Sequence, residues 1–384
     1  MVDLQECRRE IDEIDDKILR LFEKRMQVCE DVAAYKIKTG KKVLDPERER
    51  VKIKTLKGKA HGAFNASGVE ELFHQLMAIS RKRQYQLLTE NGIEEELDYE
   101  MRDKLPLAQS TVVFQGVEGA YSYAAMRAYF GDEITSYHVN TWREAMEEVQ
   151  SGKADYAVLP IENSTAGIVA DIYDLLTEYS LYIAGEQIIR VEHVLLGLPG
   201  ASLDQIRTVC SHPQGLAQCS KFLEEHPAWK TIQVENTAGA AKKVHEEGDL
   251  TQAAIASREA GRLFGLVPLE ENICHNGKNV TRFIIVEKNP VYKKNAGKIS
   301  IFFELPHESG TLYSMLSHII YNGLNMTKIE SRPIPGKTWE YRFFVDFEGN
   351  LKESAVKNAL RGLRAEANRM RVLGNYELQG EEES

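Results

Sequence analysis

The apolar positions of the N-terminal segment recur in steps of three and four. Leu4, Cys7, Ile11, Ile14, Ile18 and Leu21 are followed, after one gap, by Val28, Val32 and Tyr35. That spacing lays them along one stripe of an α-helix and predicts a continuous helix of roughly 35 residues, about 50 Å long. Two shorter helical patterns follow. The first opens at Asp45-Pro46-Glu47, where Asp suits the N-cap and Pro the first helical position. The second runs from about Val69 to Leu88, with Gly58 to Gly68 as the break between them. Neither is long enough to cover the seam, which therefore calls for a second chain.

The texture then changes twice. Glu90 to Asp103 holds seven acidic residues against one Arg, and Pro106 follows, which marks a linker. From Thr111, short β-branched runs such as TVVFQG, DYAVLPIEN, RTVCS and TRFIIVE alternate with helical patterns, the sign of an α/β fold. After NPVYKKNAGK the order becomes strand, helix, two strands, helix, strand, a ferredoxin-like α+β arrangement. The expected chain is multidomain: an all-α domain over 1–92, a linker over 93–108, an α/β domain over 109–290 and an α+β domain over 297–378.

Composition narrows the function. A formal charge of -10 over 384 residues lacks the cation surplus that nucleic-acid binding needs. Five cysteines, odd in number and without a C-x-x-C pair, read as reduced packing residues rather than metal ligands. An acidic, periodic N-terminus does not fit a targeting peptide, and no apolar run approaches the ~18 residues of a membrane span. These features point to a cytoplasmic protein without nucleic-acid or membrane partners, and without a metal or cofactor.

The gap in the seam is Arg25, a charge where an apolar residue is due. An unpaired buried guanidinium is costly, so it either reaches water or meets an anion. Lys36, eleven residues on, projects from nearly the same face, whereas Arg8, seventeen residues earlier, points about a quarter-turn away. The second helix adds Asp45, Arg48 and Glu49; the third adds Ser80 and Gln84 at i, i+4. Each residue alone also suits a solvated helix surface.

Together, in this order and spacing, they resemble the all-α chorismate mutase family from Leu4 to Gln84. The resemblance implies an intertwined dimer in which Arg8 of one subunit completes the site of the other. It further implies that Arg8, Arg25 and Arg48 hold carboxylates, that Lys36 and Gln84 hydrogen-bond the ether oxygen, that Glu49 binds the hydroxyl, and that Asp45 and Ser80 line the substrate. The chemistry suits such a site. The chorismate rearrangement is intramolecular, so the protein must hold a compact conformer and stabilise charge growing on the ether oxygen.

The turn Gly116-Val117-Glu118-Gly119-Ala120-Tyr121-Ser122 follows a strand and opens a helix, but lacks the Lys of a P-loop and the third Gly of a dinucleotide fingerprint. Polar residues at strand ends are more telling: Glu162-Asn163-Ser164, Ser211-His212-Pro213-Gln214 and Thr281-Arg282. Any one of these serves equally as a turn cap. As a set spanning about Ser110 to Lys288 they resemble prephenate dehydratase, which implies a bilobal domain related to periplasmic binding proteins, with its site in the cleft. Prephenate loses carbon dioxide and hydroxide together, so the leaving oxygen needs an acid or a strong hydrogen bond. By resemblance that group is Thr281, with Glu162 as the alternative, since a carboxyl in a dry cleft can hold its proton. Arg282 would anchor a carboxylate, and Asn163, Ser164 and Gln218 would fix orientation.

In the last segment, Glu330-Ser331-Arg332-Pro333 resembles the phenylalanine-binding signature of ACT-type regulatory domains. Gly310-Thr311-Leu312-Tyr313 stands where the family has Gly-Ala-Leu-Val. The resemblance implies feedback by L-phenylalanine on an enzyme that acts on chorismate and prephenate as a homodimer or larger homo-oligomer. Two other readings stand beside it: a mutase fused to a non-catalytic amino-acid-sensing module, and a purely structural C-terminal dimerisation module. A prephenate dehydrogenase would need a G-x-G-x-x-G that the chain lacks.

Overall fold

The computed structural model describes residues 3–93, 97–103, 109–275, 278–308 and 310–378. Three helices come first: α1 (Leu4–Thr39), α2 (Pro46–Lys57) and α3 (Ala63–Glu90). Next come β1 (Glu100–Arg102), β2 (Thr111–Gln115), α4 (Tyr121–Phe130), β3 (Thr135–Val139), α5 (Trp142–Ser151), β4 (Tyr156–Asn163), β5 (Gly167–Ile168) and α6 (Ala170–Glu178). The chain continues through β6 (Tyr182–Arg190), β7 (Val194–Gly197), β8 (Thr208–Ser211), α7 (Pro213–Gln218), α8 (Ser220–Glu224), β9 (Lys230–Gln233), α9 (Thr237–Glu247) and β10 (Gln252–Ala256). Then follow α10 (Arg258–Leu263), β11 (Val267–Glu270), β12 (Val280–Glu287), β13 (Val291–Lys293) and β14 (Lys298–Glu304). The last elements are α11 (Thr311–Tyr321), β15 (Met326–Pro333), β16 (Tyr341–Glu348), α12 (Ser354–Glu366) and β17 (Arg369–Tyr376).

These elements form two compact units, one of Met1–Leu97 with Phe302–Arg371 and one of Asp98–Ile301 with Val372–Ser384. In the first, α1 is a single 36-residue helix, capped by the Asp3 side chain on Gln5 N and ended by Gly40 in the left-handed region. Its apolar seam lies open: Ile11, Ile14, Ile18 and Val28 are each more than half exposed, and Leu21 is 67% exposed. Asp45 caps α2 through Arg48 N, with Pro46 in the first turn. Helix α3 begins at Ala63, six residues before the Val69 start read from sequence. The turn is made at Gly62 with φ +83, and Gly68 sits inside the helix where a side chain would meet nothing. A glycine there costs about 1 kcal/mol, too little to break a helix held by its neighbours.

The first unit also holds α11, β15, β16 and α12, within a run whose strands lie in the order β15-β16-β14-β17. β15 and β16 pair antiparallel from Met326↔Phe347 to Pro333↔Tyr341. Helix α3 packs on this part: Lys82 Nζ donates to Ser317 Oγ at 2.9 Å, and Thr89 Oγ1 to Asn358 Oδ1 at 2.6 Å.

The second unit contains two sheets. One carries β6-β12-β4-β2-β3, with β2 parallel to both β3 and β4, and β12 antiparallel to β4 and β6. The other is five-stranded, β11-β7-β10-β8-β9. Val112, Phe114, Met126, Tyr156, Val158 and Phe283 pack together on one face of the first sheet under α4. Leu195, Val209, Ile255 and Leu216 fill one face of the second. Part of the expected linker is structured: Glu100–Arg102 forms β1, parallel to β13, because its backbone finds an open strand partner there. The rest of that linker, 94–96 and 104–108, lies outside the described residues. All five cysteines are free thiols. Among the described residues, no helix is long and apolar enough to cross a membrane.

Candidate active sites

In the first unit the polar residues of α1, α2 and α3 converge. Arg25 Nη1 donates to Leu76 O at 2.9 Å and to Ser80 Oγ. Lys36 Nζ donates to Gln84 Oε1 at 3.0 Å and to Val43 O at 2.7 Å. Ser80 and Gln84 are buried on one face of α3, as i, i+4 spacing requires. Burial lowers the pKa of Lys36, and the nearby carboxylates Asp45 and Glu49 offset this only in part, with Arg48 adding to the lowering. The site thus concentrates cationic donors around a partly dry ammonium. Arg8 stands apart and exposed. At 1.5 Å per residue it lies roughly 25 Å along α1 from Arg25, out of reach of the cluster in its own chain.

Arg81 was not singled out from the sequence, yet it is buried against this cluster. Its Nη1 lies 2.5 Å from Glu49 Oε2, and its Nη2 lies 2.8 Å from Glu366 Oε1 in α12. The one available signal was its place beside Ser80, in a helix segment Ser80-Arg81-Lys82-Arg83-Gln84 with more charge than a buried face allows.

In the second unit, Thr281 pairs with Asn163 and Arg282 with Glu162 across the β4–β12 ladder. Side chains alternate along a strand, so the two pairs project from opposite faces. On one face, Asn163 Nδ2 donates to Thr281 Oγ1 at 2.9 Å and to Asn279 Oδ1 at 2.8 Å. Ser164 closes the strand end, its Oγ accepting from Val280 N at 3.0 Å. On the other face, Arg282 Nη2 donates to Glu162 Oε2 at 2.7 Å, and its Nη1 lies 3.5 Å from Glu186 Oε2. Glu186, 2% exposed, is also bound by Lys298 Nζ at 2.8 Å. The expectation that Thr281, Glu162 and Arg282 share one pocket is not met within this ladder, because consecutive residues of a strand cannot face the same way.

Gln218, at the end of α7, is buried, with its Oε1 2.8 Å from His193 Nε2; His193 Nδ1 is 3.1 Å from the Tyr121 hydroxyl. Burial lowers the His193 pKa, and the Gln218 hydrogen bond offsets this only in part. Tyr121 belongs to the Gly116–Ser122 turn, so these contacts join that motif to Gln218, a single candidate residue read from sequence. His193 and Asn279 were missed. Asn279 is 2% exposed and its Nδ2 is buried without a hydrogen-bond partner. Its signal was a polar residue placed two before Thr281.

The remaining motifs fall on two elements. Gly310, with φ +82, precedes the first turn of α11, where Thr311 Oγ1 donates to Glu308 O at 2.9 Å; Leu312 is half-buried and Tyr313 exposed. Glu330, Ser331, Arg332 and Pro333 form the end of β15, with Glu330 and Arg332 on its half-buried face and Ser331 and Pro333 on its exposed one. A cavity of about 400 Å³, with Gln86, Thr89, Tyr321 and Asn358 in its lining, includes none of the candidate site residues read from sequence.

Comparison with known proteins matches these regions. The family model for prephenate dehydratase matches residues 112–291, and that for chorismate mutase type II matches residues 7–85. A bifunctional chorismate mutase/prephenate dehydratase of Enterobacter agglomerans is 34% identical over 377 residues, covering 96% of this chain and 94% of that one. Among solved structures, a prephenate dehydratase from Arthrobacter aurescens in complex with L-Phe superposes with a TM-score of 0.64 at 32% identity, covering 70% of this chain and 90% of that one. A protein described as GqqA, a novel type of quorum quenching acylase, gives a TM-score of 0.65 at 34% identity, covering 70% of this chain and 98% of that one.

Proposed function

This chain belongs to the bifunctional chorismate mutase/prephenate dehydratase family, and from that premise we propose how its residues divide the two reactions. The enzyme rearranges chorismate to prephenate and converts prephenate to phenylpyruvate, carbon dioxide and water, in phenylalanine biosynthesis. The proposed division follows the domain limits 1–92, 109–290 and 297–378.

In the mutase site, the Lys36–Gln84 hydrogen bond between α1 and α3 is the observation that carries the reading. An ammonium has three donors. Val43 O and Gln84 Oε1 take two of them, which leaves the third for the ether oxygen as its bond to carbon breaks. Arg25 and Arg48 take the substrate carboxylates, Glu49 the hydroxyl, and Asp45 and Ser80 line the site. Arg8 acts in the partner copy. The open seam supports that partnership, since burying a large apolar side chain is worth about 1.5–3 kcal/mol and α1 exposes at least five of them.

In the dehydratase site, Thr281 is the group at the departing hydroxyl, and Asn163, Ser164 and Gln218 orient the ring acid. Glu162 is not the acid in this reading: its carboxylate is taken up by Arg282 on the opposite face of the ladder. Glu162 and Arg282 act instead as a pair that stiffens the strand end.

The C-terminal α+β part is an ACT-type sensor that binds L-phenylalanine at Gly310, Thr311, Leu312 and Glu330 to Pro333. Its strand order, its glycine in the left-handed region and the L-Phe complex of the Arthrobacter relative support this. The working protein is a cytoplasmic homodimer or larger homo-oligomer that needs no metal or coenzyme. The acylase activity described for one structural relative is set aside, because the relative that spans nearly the whole chain carries the two biosynthetic activities. The test is incubation of purified protein with chorismate, then with prephenate, without cofactor. Prephenate and phenylpyruvate are followed by ultraviolet absorbance, with and without L-phenylalanine.

A further inference from the structure

Helix α3 has two working faces. Ser80 and Gln84 face the mutase cluster, and the next residues round the helix, Arg81, Lys82 and Tyr85, are buried against α11 and α12. Arg81 joins the two. Its Nη1 holds Glu49 Oε2 at 2.5 Å, while its Nε and Nη2 both donate to Glu366 Oε1, at 3.1 and 2.8 Å. Glu366 is 285 positions further along the chain and is itself fixed: His318 Nε2 lies 2.9 Å from Oε1, and Ser314 Oγ donates to Oε2 at 2.8 Å. We infer that Glu366 is a positioning residue of the mutase site, setting the Glu49 carboxylate through Arg81, so that the mutase reaction depends on a C-terminal helix outside its own domain.

The argument is one of charge and geometry. A buried guanidinium shared by two carboxylates can give each only part of its fork. Glu366 takes one edge of Arg81, so Glu49 is held by a single oxygen and keeps Oε1 to accept from the substrate hydroxyl. Burial favours the neutral carboxyl of Glu366, but the hydrogen bond from His318 and the charge of Arg81 outweigh it and hold its pKa down at about 2. The anchor therefore stays charged across the working pH range. Without it, Arg81 has one carboxylate left within reach and closes on Glu49 with both fork positions, consuming the oxygen that the substrate needs.

This rests on the role proposed for Glu49, and the experiment separates the two. In the full-length enzyme, Glu366→Gln is expected to raise KM for chorismate by about 10-fold or more, the worth of one hydrogen bond to a charged group. The value of kcat stays within about two-fold, because binding to ground and transition states is lost alike. Dehydratase turnover of prephenate stays at the wild-type value, which reports an intact fold. In an Arg81→Met background the same change at Glu366 produces no further rise, because the relay is already absent. If Glu366→Gln does not fold, Arg81→Met/Glu366→Met exchanges the buried pair for apolar side chains and should match Arg81→Met alone in KM. A wild-type KM in Glu366→Gln, or a rise that persists in the Arg81→Met background, overturns the inference while the assignment of Glu49 stands. A wild-type KM in Glu49→Gln overturns that assignment and the inference with it.

Discussion

Asn163 donates from Nδ2 to the hydroxyl oxygen of Thr281 at 2.9 Å, across the β4–β12 ladder. The asparagine is itself fixed, since its Oδ1 accepts from Thr165 N at 3.0 Å and Ala166 N at 2.8 Å. A hydroxyl that accepts from an amide has its proton left to give. That is the polarity a departing hydroxide requires.

Thr281→Ala should therefore lower the dehydratase kcat by about 100-fold or more, while mutase turnover is unchanged. Thr281→Ser keeps the hydroxyl and should retain most of the activity. Asn163→Asp replaces the donor by an acceptor, turns the hydroxyl proton away from substrate, and should cost as much as Thr281→Ala. Phenylpyruvate formation from prephenate measures all three. A Glu162→Gln variant that lost more than Thr281→Ala would exchange the roles.

The role proposed for Lys36 predicts a mutase reaction sensitive to alkali. Burial lowers its pKa and the carboxylates of Asp45 and Glu49 restore only part of the drop. In the proposed role the charged form is the active one, so mutase activity should fall as pH rises, starting below the ordinary lysine value of 10.5. Dehydratase activity should not share that limb. Lys36→Ala should abolish mutase turnover at every pH, with the dehydratase reaction as the control for folding.

Much of this arrangement was legible in the chain itself. The three-and-four spacing of Leu4 to Tyr35 carried the length of α1, and Arg25 stood out as the one charge in that spacing, with water or an anion as its two possible partners. What was not legible depended on faces and on distance. Thr281 and Arg282 read as one motif because they are adjacent, yet adjacency in a strand puts them on opposite sides. Arg81 did not stand out because its partner Glu366 lies in another part of the chain. Local patterns report periods, whereas a buried ion pair between distant segments leaves no period to find.

Glu287 tests the packing of the second unit. Its side chain is buried at the end of β12, and its Oε1 has no hydrogen-bond partner. Burial, reduced by the charge of Arg102, raises its pKa to about 7. The folded state then holds a proton that the unfolded chain has released, so the carboxyl lowers stability as pH rises from about 4.5 towards 7. Glu287→Gln removes that dependence. Denaturant unfolding at pH 8 should show the variant more stable by up to about 3 kcal/mol, with little difference near pH 4.

Arg8 provides the sharpest test of the intertwined dimer. It lies roughly 25 Å along α1 from Arg25, so in a mutase it can act only on the site of another chain. Two inactive variants should then complement each other. In a mixed dimer of Arg8→Ala and Lys36→Ala chains, the site that keeps its own Lys36 receives Arg8 from the other chain and is intact; the second site lacks both. Random exchange makes half the dimers mixed, so equal amounts unfolded and refolded together should regain about a quarter of wild-type mutase activity. Mixing without exchange should regain none. Charging the seam with Ile14→Asp/Ile18→Asp should separate the chains by sedimentation and remove mutase activity. A monomer that kept full mutase turnover would show that each site is complete within one chain and that Arg8 has no part in it.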